Sequence, residues 1–152
     1  MDIFQAIRQG NYQTYLNEVT LLKDINVLND FQQNLLQEAI ANKRNDIAKD
    51  LIKRGINVNN QDYRGATPLH YAIQYNLYDI VNLLLDNGAE VNIKDNYGNN
   101  PLWRAVFEEN EPIVELLLDY GADKHNKNNA QATPCSFAQK IENEKLLKIL
   151  GC

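Results

Sequence analysis

Four side chains in this 152-residue chain have the makings of reactive groups: His70, His125, Cys135 and Cys152. They are its only histidines and cysteines, and none stands in a pattern that chemistry requires. A nucleophilic cysteine needs a base and an orienting group, and zinc needs a His/Cys cluster or an HExxH pair, which the chain lacks. Neither GxGxxG nor GxxxxGKS/T is present to cradle phosphates. The acidic run "EENE" at 108–111 lacks calcium-loop spacing. It reads as a solvated turn, with Asn110 breaking one helix and Pro112 starting the next. No catalytic residue, metal or cofactor is expected, and so no enzyme.

Composition narrows the classes further. The formal charge is −5 and the pI about 5.0. Nucleic acids and anionic membrane surfaces both call for clustered Lys and Arg, so neither is an expected partner. No apolar run approaches the length of a membrane span. The opening "MDIFQAIRQG" has an acid at position 2 and no long apolar region, unlike a signal peptide. The two cysteines make no CxxC pair and no disulfide framework, which suits a reducing, cytoplasmic setting.

His70 makes sense as architecture once the repeat is seen. Pro68, Pro101 and Pro134 are 33 residues apart, as are Gly55, Gly88 and Gly121, and Ala39, Ala72, Ala105 and Ala138. "DIVNLLLDNGAEVN" at 79–92 returns as "PIVELLLDYGADKH" at 112–125 and, more loosely, as "DIAKDLIKRGINVN" at 46–59. A period held by several residue types over successive copies signals a stacked-repeat architecture. Each copy reads locally as two helices and a loop. Thr67 fits an N-cap and Pro68 the first helical position, where its missing N–H costs nothing. A first helix is expected over about 67–75, broken at Asn76, and a second over about 78–86. Gly88 ends the second in the left-handed conformation. The turn-forming residues through "KDNYG" suit a protruding hairpin-like loop. The small alanine series lets helices approach closely.

The stretches "GATPLHYA" at 65–72, "IVNLLLDNGAEVN" at 80–92 and "GNNPLWRAV" at 98–106 resemble the ankyrin repeat family. The likeness covers about 31–140 well. Residues 1–30 match loosely, and "FAQKIENEKLLKILGC" looks like a last, truncated helix pair. It implies an all-α solenoid of about five helix pairs with protruding loops. The units would be an N-terminal capping pair at 1–30, repeats at 31–63, 64–96 and 97–129, and a C-terminal capping pair at 130–152. The likeness also implies that His70 ties helix and loop backbones together, with Gln37, Trp103 and Ser136 at the equivalent positions. His125 falls with Asn59 and Asn92, which bond loop backbone. Asn34 still caps where Leu35 replaces the proline. Gln32 and Gln131 stand where Gly65 and Gly98 stand, so those two loops are expected to be less regular. Trp103 is expected to pack differently from His70, and whether it stays buried or partly reaches the surface is left open. Cys135 aligns with Leu69 and Leu102 and reads as a small buried hydrophobe.

Stacked pairs bury a continuous core and leave no closed pocket. The family resemblance implies a protein partner held on a concave face of loop tips and first helices. Carried over, those positions are Tyr63, Arg64, Gln74, Tyr75, Asn96, Tyr97, Arg104, Phe107 and Glu108. Asp30, Phe31 and Asn42 extend the row one way, and Asn129, Ala130 and Lys140 the other. Aromatic and Arg residues are enriched at interface hot spots, although Tyr71, Tyr75 and Phe107 could equally be packing between helices. The expected function is therefore a monomeric protein-binding module whose net charge favours a basic partner. The roles open to it are an inhibitor or immunity protein, a scaffold, and a secreted effector.

Overall fold

The computed structural model describes residues 1–152 and contains ten helices. They are α1 (Ile3–Gln9), α2 (Tyr12–Leu21), α3 (Leu35–Ala41), α4 (Asn45–Lys53), α5 (Pro68–Gln74), α6 (Tyr78–Asp86), α7 (Pro101–Phe107), α8 (Glu111–Asp119), α9 (Pro134–Lys140) and α10 (Glu144–Leu150). There is no strand, only an isolated bridge between Leu28 and Asn34. The expected all-α repeat solenoid is the fold observed. Each first helix opens on a polar cap: Asn34, Thr67, Asn100 and Thr133 each accept from the backbone N–H three residues on. Asn34 does this without the proline that follows the other three caps.

The turn inside each of the last four pairs is equally regular. Lys43, Asn76, Glu109 and Glu142 occupy it at φ of 53–56°. At 108–111 this corrects the expected break. Glu109, not Asn110, takes the left-handed turn, and Asn110 instead caps α8, accepting from Ile113 N–H. Asn and Asp tolerate such a turn better than other side chains, but here the cap at the next position claims the asparagine.

Helices of the first row, α1, α3, α5, α7 and α9, pack each on the next, more intimately than α4, α6, α8 and α10 do. Ala39, Ala72, Ala105 and Ala138 are fully buried in that row. The apolar stripe of the second helices, including Leu51, Leu84 and Leu117, completes one continuous core. Tyr15 of α2 reaches α4 by donating its hydroxyl to Asp50, 2.5 Å away.

The loops are held from within. Asn29, Asp62, Asp95 and Asn128 each accept, through one side-chain oxygen, the N–H groups two and four residues on. A backbone bond of 2.9 Å then closes each tip, donated by Gln32, Gly65, Gly98 or Gln131. All four donors are left-handed, Gln32 at φ 59° and Gln131 at φ 62°. The two glutamine loops are thus as regular as the glycine loops, contrary to expectation. The Asx turn sets the geometry, and glutamine bears the strain of it.

Candidate functional site

The site is built on a bracing device that occurs three times. Nε2–H of His70 donates to the carbonyl of Asn99, 29 residues ahead, at 3.1 Å, while Nδ1 accepts from Thr67 N–H at 3.1 Å. Gln37 does the same with its amide, donating to Ala66 O at 2.8 Å and accepting from Asn34 N–H at 3.0 Å. Trp103 makes the long bond, Nε1–H donating to Ala132 O at 3.2 Å. An indole has no acceptor, so it leaves the cap N–H unreciprocated. Trp103 is only 8% exposed. It thus packs differently from His70, as expected, with its ring against Phe137, and keeps only the long bond of the brace; of the two surroundings open to it, buried and partly exposed, the structure gives the buried one. Ser136 keeps only the local half, accepting from Thr133 N–H. His70 is buried with both ring nitrogens engaged in structure, and burial pushes its pKa below the ordinary value. Asn59 and Asn92 donate to Gly88 O and Gly121 O. His125 does not follow them. Its side chain is exposed and makes no hydrogen bond.

These braces link consecutive loops, and a second ladder runs along their tips. Tyr63 N–H donates to Phe31 O, Asn96 N–H to Arg64 O and Asn129 N–H to Tyr97 O. The amides of Asn96 and Asn129 donate to Tyr63 O and Asn96 O. Upon this frame stand large exposed aromatics: Tyr63 (48% exposed), Tyr97 (68%) and Phe107 (52%). Arg64 lies over the Tyr63 ring at 5.2 Å, and the Phe31 ring lies tilted beside it, centroids 5.7 Å apart. Arg104 lies over Phe107 at 5.6 Å and reaches Glu108 at 3.5 Å. Arg64, Gln74, Tyr75, Tyr97 and Arg104 share one open cleft of about 210 Å³ with His70, Tyr71, Asp95 and Asn99. Of the residues singled out from sequence, Gln74 and Asn96 are exposed and Tyr75 and Glu108 half-buried. Tyr71 belongs to the frame instead, its hydroxyl donating to Asp62 and accepting from Gln33.

Phe137 was not anticipated as part of this surface. It packs against Trp103 at 5.2 Å and Phe107 at 5.6 Å, carrying the aromatic row onto α9. Its signal in the sequence is weak, because the equivalent position holds Glu38, Tyr71 and Arg104 in turn.

The cysteines are the main correction. Cys135 and Cys152 form a disulfide, with Cα atoms 6.0 Å apart. Leu69 and Leu102 are buried as expected, but Cys135 is only half-buried. Because α9 is the last of its row, that position stays open to the returning C-terminus. The argument for a reducing compartment rested on unpaired cysteines and is withdrawn with them.

Elsewhere the largest hollow, about 560 Å³, lies open between α4 and α6, lined by Lys49, Ile52, Lys53, Asp79, Asn82, Leu83, Asp86 and Asn87. It carries no aromatic ring. Helices α6 and α8 hold Asp79, Asp86, Glu111, Glu115 and Asp119 without a Lys or Arg, so much of the negative charge sits on the second helices. No helix is long and apolar enough to cross a membrane.

Comparison with known families agrees with the geometry. The model described as ankyrin repeats (3 copies) matches residues 3–95, and one described as ankyrin repeats (many copies) matches 75–118. A search of curated proteins finds no match. Ankyrin repeats are in general protein–protein interaction modules and typically not catalytic. The five stacked helix pairs, the repeated caps and braces, and a family match over more than half of the length lead to one conclusion: the chain belongs to the ankyrin-repeat family.

Proposed function

We propose that this protein is a non-catalytic binding module that holds one protein partner across its loop tips and first helices, at Tyr63, Arg64, Gln74, Tyr75, Asn96, Tyr97, Arg104, Phe107 and Glu108. The observation that carries the reading is the set of exposed aromatic rings at Tyr63, Tyr97 and Phe107, two of them (Tyr63 and Phe107) overlaid by an arginine, on a frame braced from loop to loop. Aromatic and Arg side chains dominate binding energy at interfaces. A frame already ordered before binding spares the entropy of fixing it afterwards.

The module acts as a monomer, and its mode is occlusion, as an inhibitor or immunity protein covers the working surface of its target. The net charge of −5 favours a basic partner. Since the carboxylates of α6 and α8 lie away from the aromatic row, this attraction governs encounter more than the final contact. The test is capture of the partner by the wild type and by a Tyr63→Ala/Tyr97→Ala variant, followed by assay of the partner's own activity. Loss of capture in the folded variant, and inhibition by the wild type alone, are expected. Equal capture by both would remove the aromatic row as the site. Capture without inhibition would favour a scaffold or a secreted effector.

A further inference from the structure

The disulfide stands beside the aromatic row rather than apart from it. Gly151 turns back in the left-handed conformation (φ 72°), Cys152 N–H bonds Leu147 O, and Cys152 is thereby brought to Cys135 at the start of α9. Two residues on from Cys135 is Phe137, which packs on Trp103 and Phe107. The pair so clasped has a thin core. Helix α9 buries only Pro134 and Ala138, and α10 only Leu146 and Leu150. Cys152 is exposed and Cys135 half-buried, so the bond is open to exchange.

We infer that the Cys135–Cys152 bond is a redox clasp that sets the order of the last helix pair and, through Phe137, the shape of the binding row at Trp103 and Phe107. The inference rests on the proposed binding face for its functional half only. Closure is thiol–disulfide exchange with a low-molecular-weight disulfide. The Cys152 thiolate attacks one sulfur, forming a mixed disulfide and releasing one small thiolate. The Cys135 thiolate then displaces the second. The protein dithiol loses two electrons, the small disulfide gains them, and the two protons pass through solvent to the two small thiols. A small dithiol reductant reverses both steps. Closing the 17-residue separation removes chain entropy from the frayed state.

The full chain is equilibrated with oxidised glutathione or with dithiothreitol, and intact mass confirms the state of the bond. Amide exchange is read along the chain, together with emission from Trp103, the sole tryptophan. In the reduced form, amides of α9 and α10 should exchange roughly 10- to 100-fold faster, with those of α3 to α6 unchanged and the Trp103 emission shifted to the red. Cys135→Ser/Cys152→Ser should match the reduced form under both conditions. Failure of the bond to form, or equal exchange and emission in the two states, would overturn the clasp. With a captured partner, affinity should fall on reduction, and Phe137→Ala should show the same fall while oxidised. Unchanged affinity despite faster exchange would overturn the regulatory half and leave the binding reading standing. Failure of Tyr63→Ala/Tyr97→Ala to weaken capture would overturn that reading and leave the exchange result intact.

Discussion

At the scale of single residues, His70 is defined by what its two nitrogens do. The fold binds the neutral ring: Nδ1 accepts from Thr67 and Nε2–H donates to Asn99. Burial lowers its pKa, whereas the unfolded chain takes up its proton near the ordinary value of about 6.5. As pH falls below that value the unfolded state binds more protons, so stability present at pH 7 is lost on acidification. Denaturant melts should therefore weaken from pH 7 to 5.5 in the wild type. His70→Gln, which copies the working arrangement of Gln37, should stay folded and lose that part of the slope. An unchanged slope would mean that another group titrates there. The tip glycines make a second residue-scale case. A Cβ on Gly98 would stand 2.7 Å from Asn129 Oδ1 and 3.0 Å from its backbone N, so here the neighbouring loop requires glycine, and the left-handed φ favours it. Gln131, at φ 62°, takes the left-handed position in the last loop. Gln131→Gly should raise stability by about 1 kcal/mol, the cost of a left-handed non-glycine residue, and Gly98→Ala should lower it. Chemical melts of the two variants decide this.

At the scale of the elements, the 33-residue period was enough to place the central helices almost to the residue, because caps, prolines and alanines recur where the geometry needs them. Helix α6 was expected over 78–86 and spans Tyr78–Asp86. What could not be read were the places where unlike residues do the same work. Trp103 supplies the long bond of His70 through an N–H at a different reach, and two glutamines take a glycine turn because Asn29 and Asn128 hold the loop from within. The cysteine pair was missed because repeat alignment assigned Cys135 the burial of Leu69 and Leu102, and alignment is blind to being last in the row. Of the candidate site, exposure of the loop-tip aromatics was legible, whereas Phe137 was not, since no repeat signal marks its position. Helix phase itself is testable at Leu84 and Leu117, both fully buried. Changing either to Ala should cost on the order of 2–5 kcal/mol. A loss below about half a kcal/mol would contradict the packing of the second-helix row.

At the scale of the molecule, two surfaces differ in kind. One presents Tyr63, Arg64, Tyr97, Arg104 and Phe107 on a braced frame. The other, along the second helices, presents Asp86, Glu115 and Asp119, with Asn82 half-buried beside the open hollow and the exposed tyrosines Tyr78 and Tyr120, the latter bonded to Asp86, among the carboxylates. The account turns on which of them the partner touches. Titration calorimetry of the captured partner against four folded variants, at two salt concentrations, answers this directly. Tyr63→Ala and Tyr97→Ala should each weaken binding by roughly 1–2 kcal/mol or more. Asn82→Ala and Glu115→Ala should cost less than about half of that, with affinity falling as salt rises. Weakening by Asn82→Ala and Glu115→Ala with no effect at Tyr63 and Tyr97 would place the partner on the second helices and contradict the central claim.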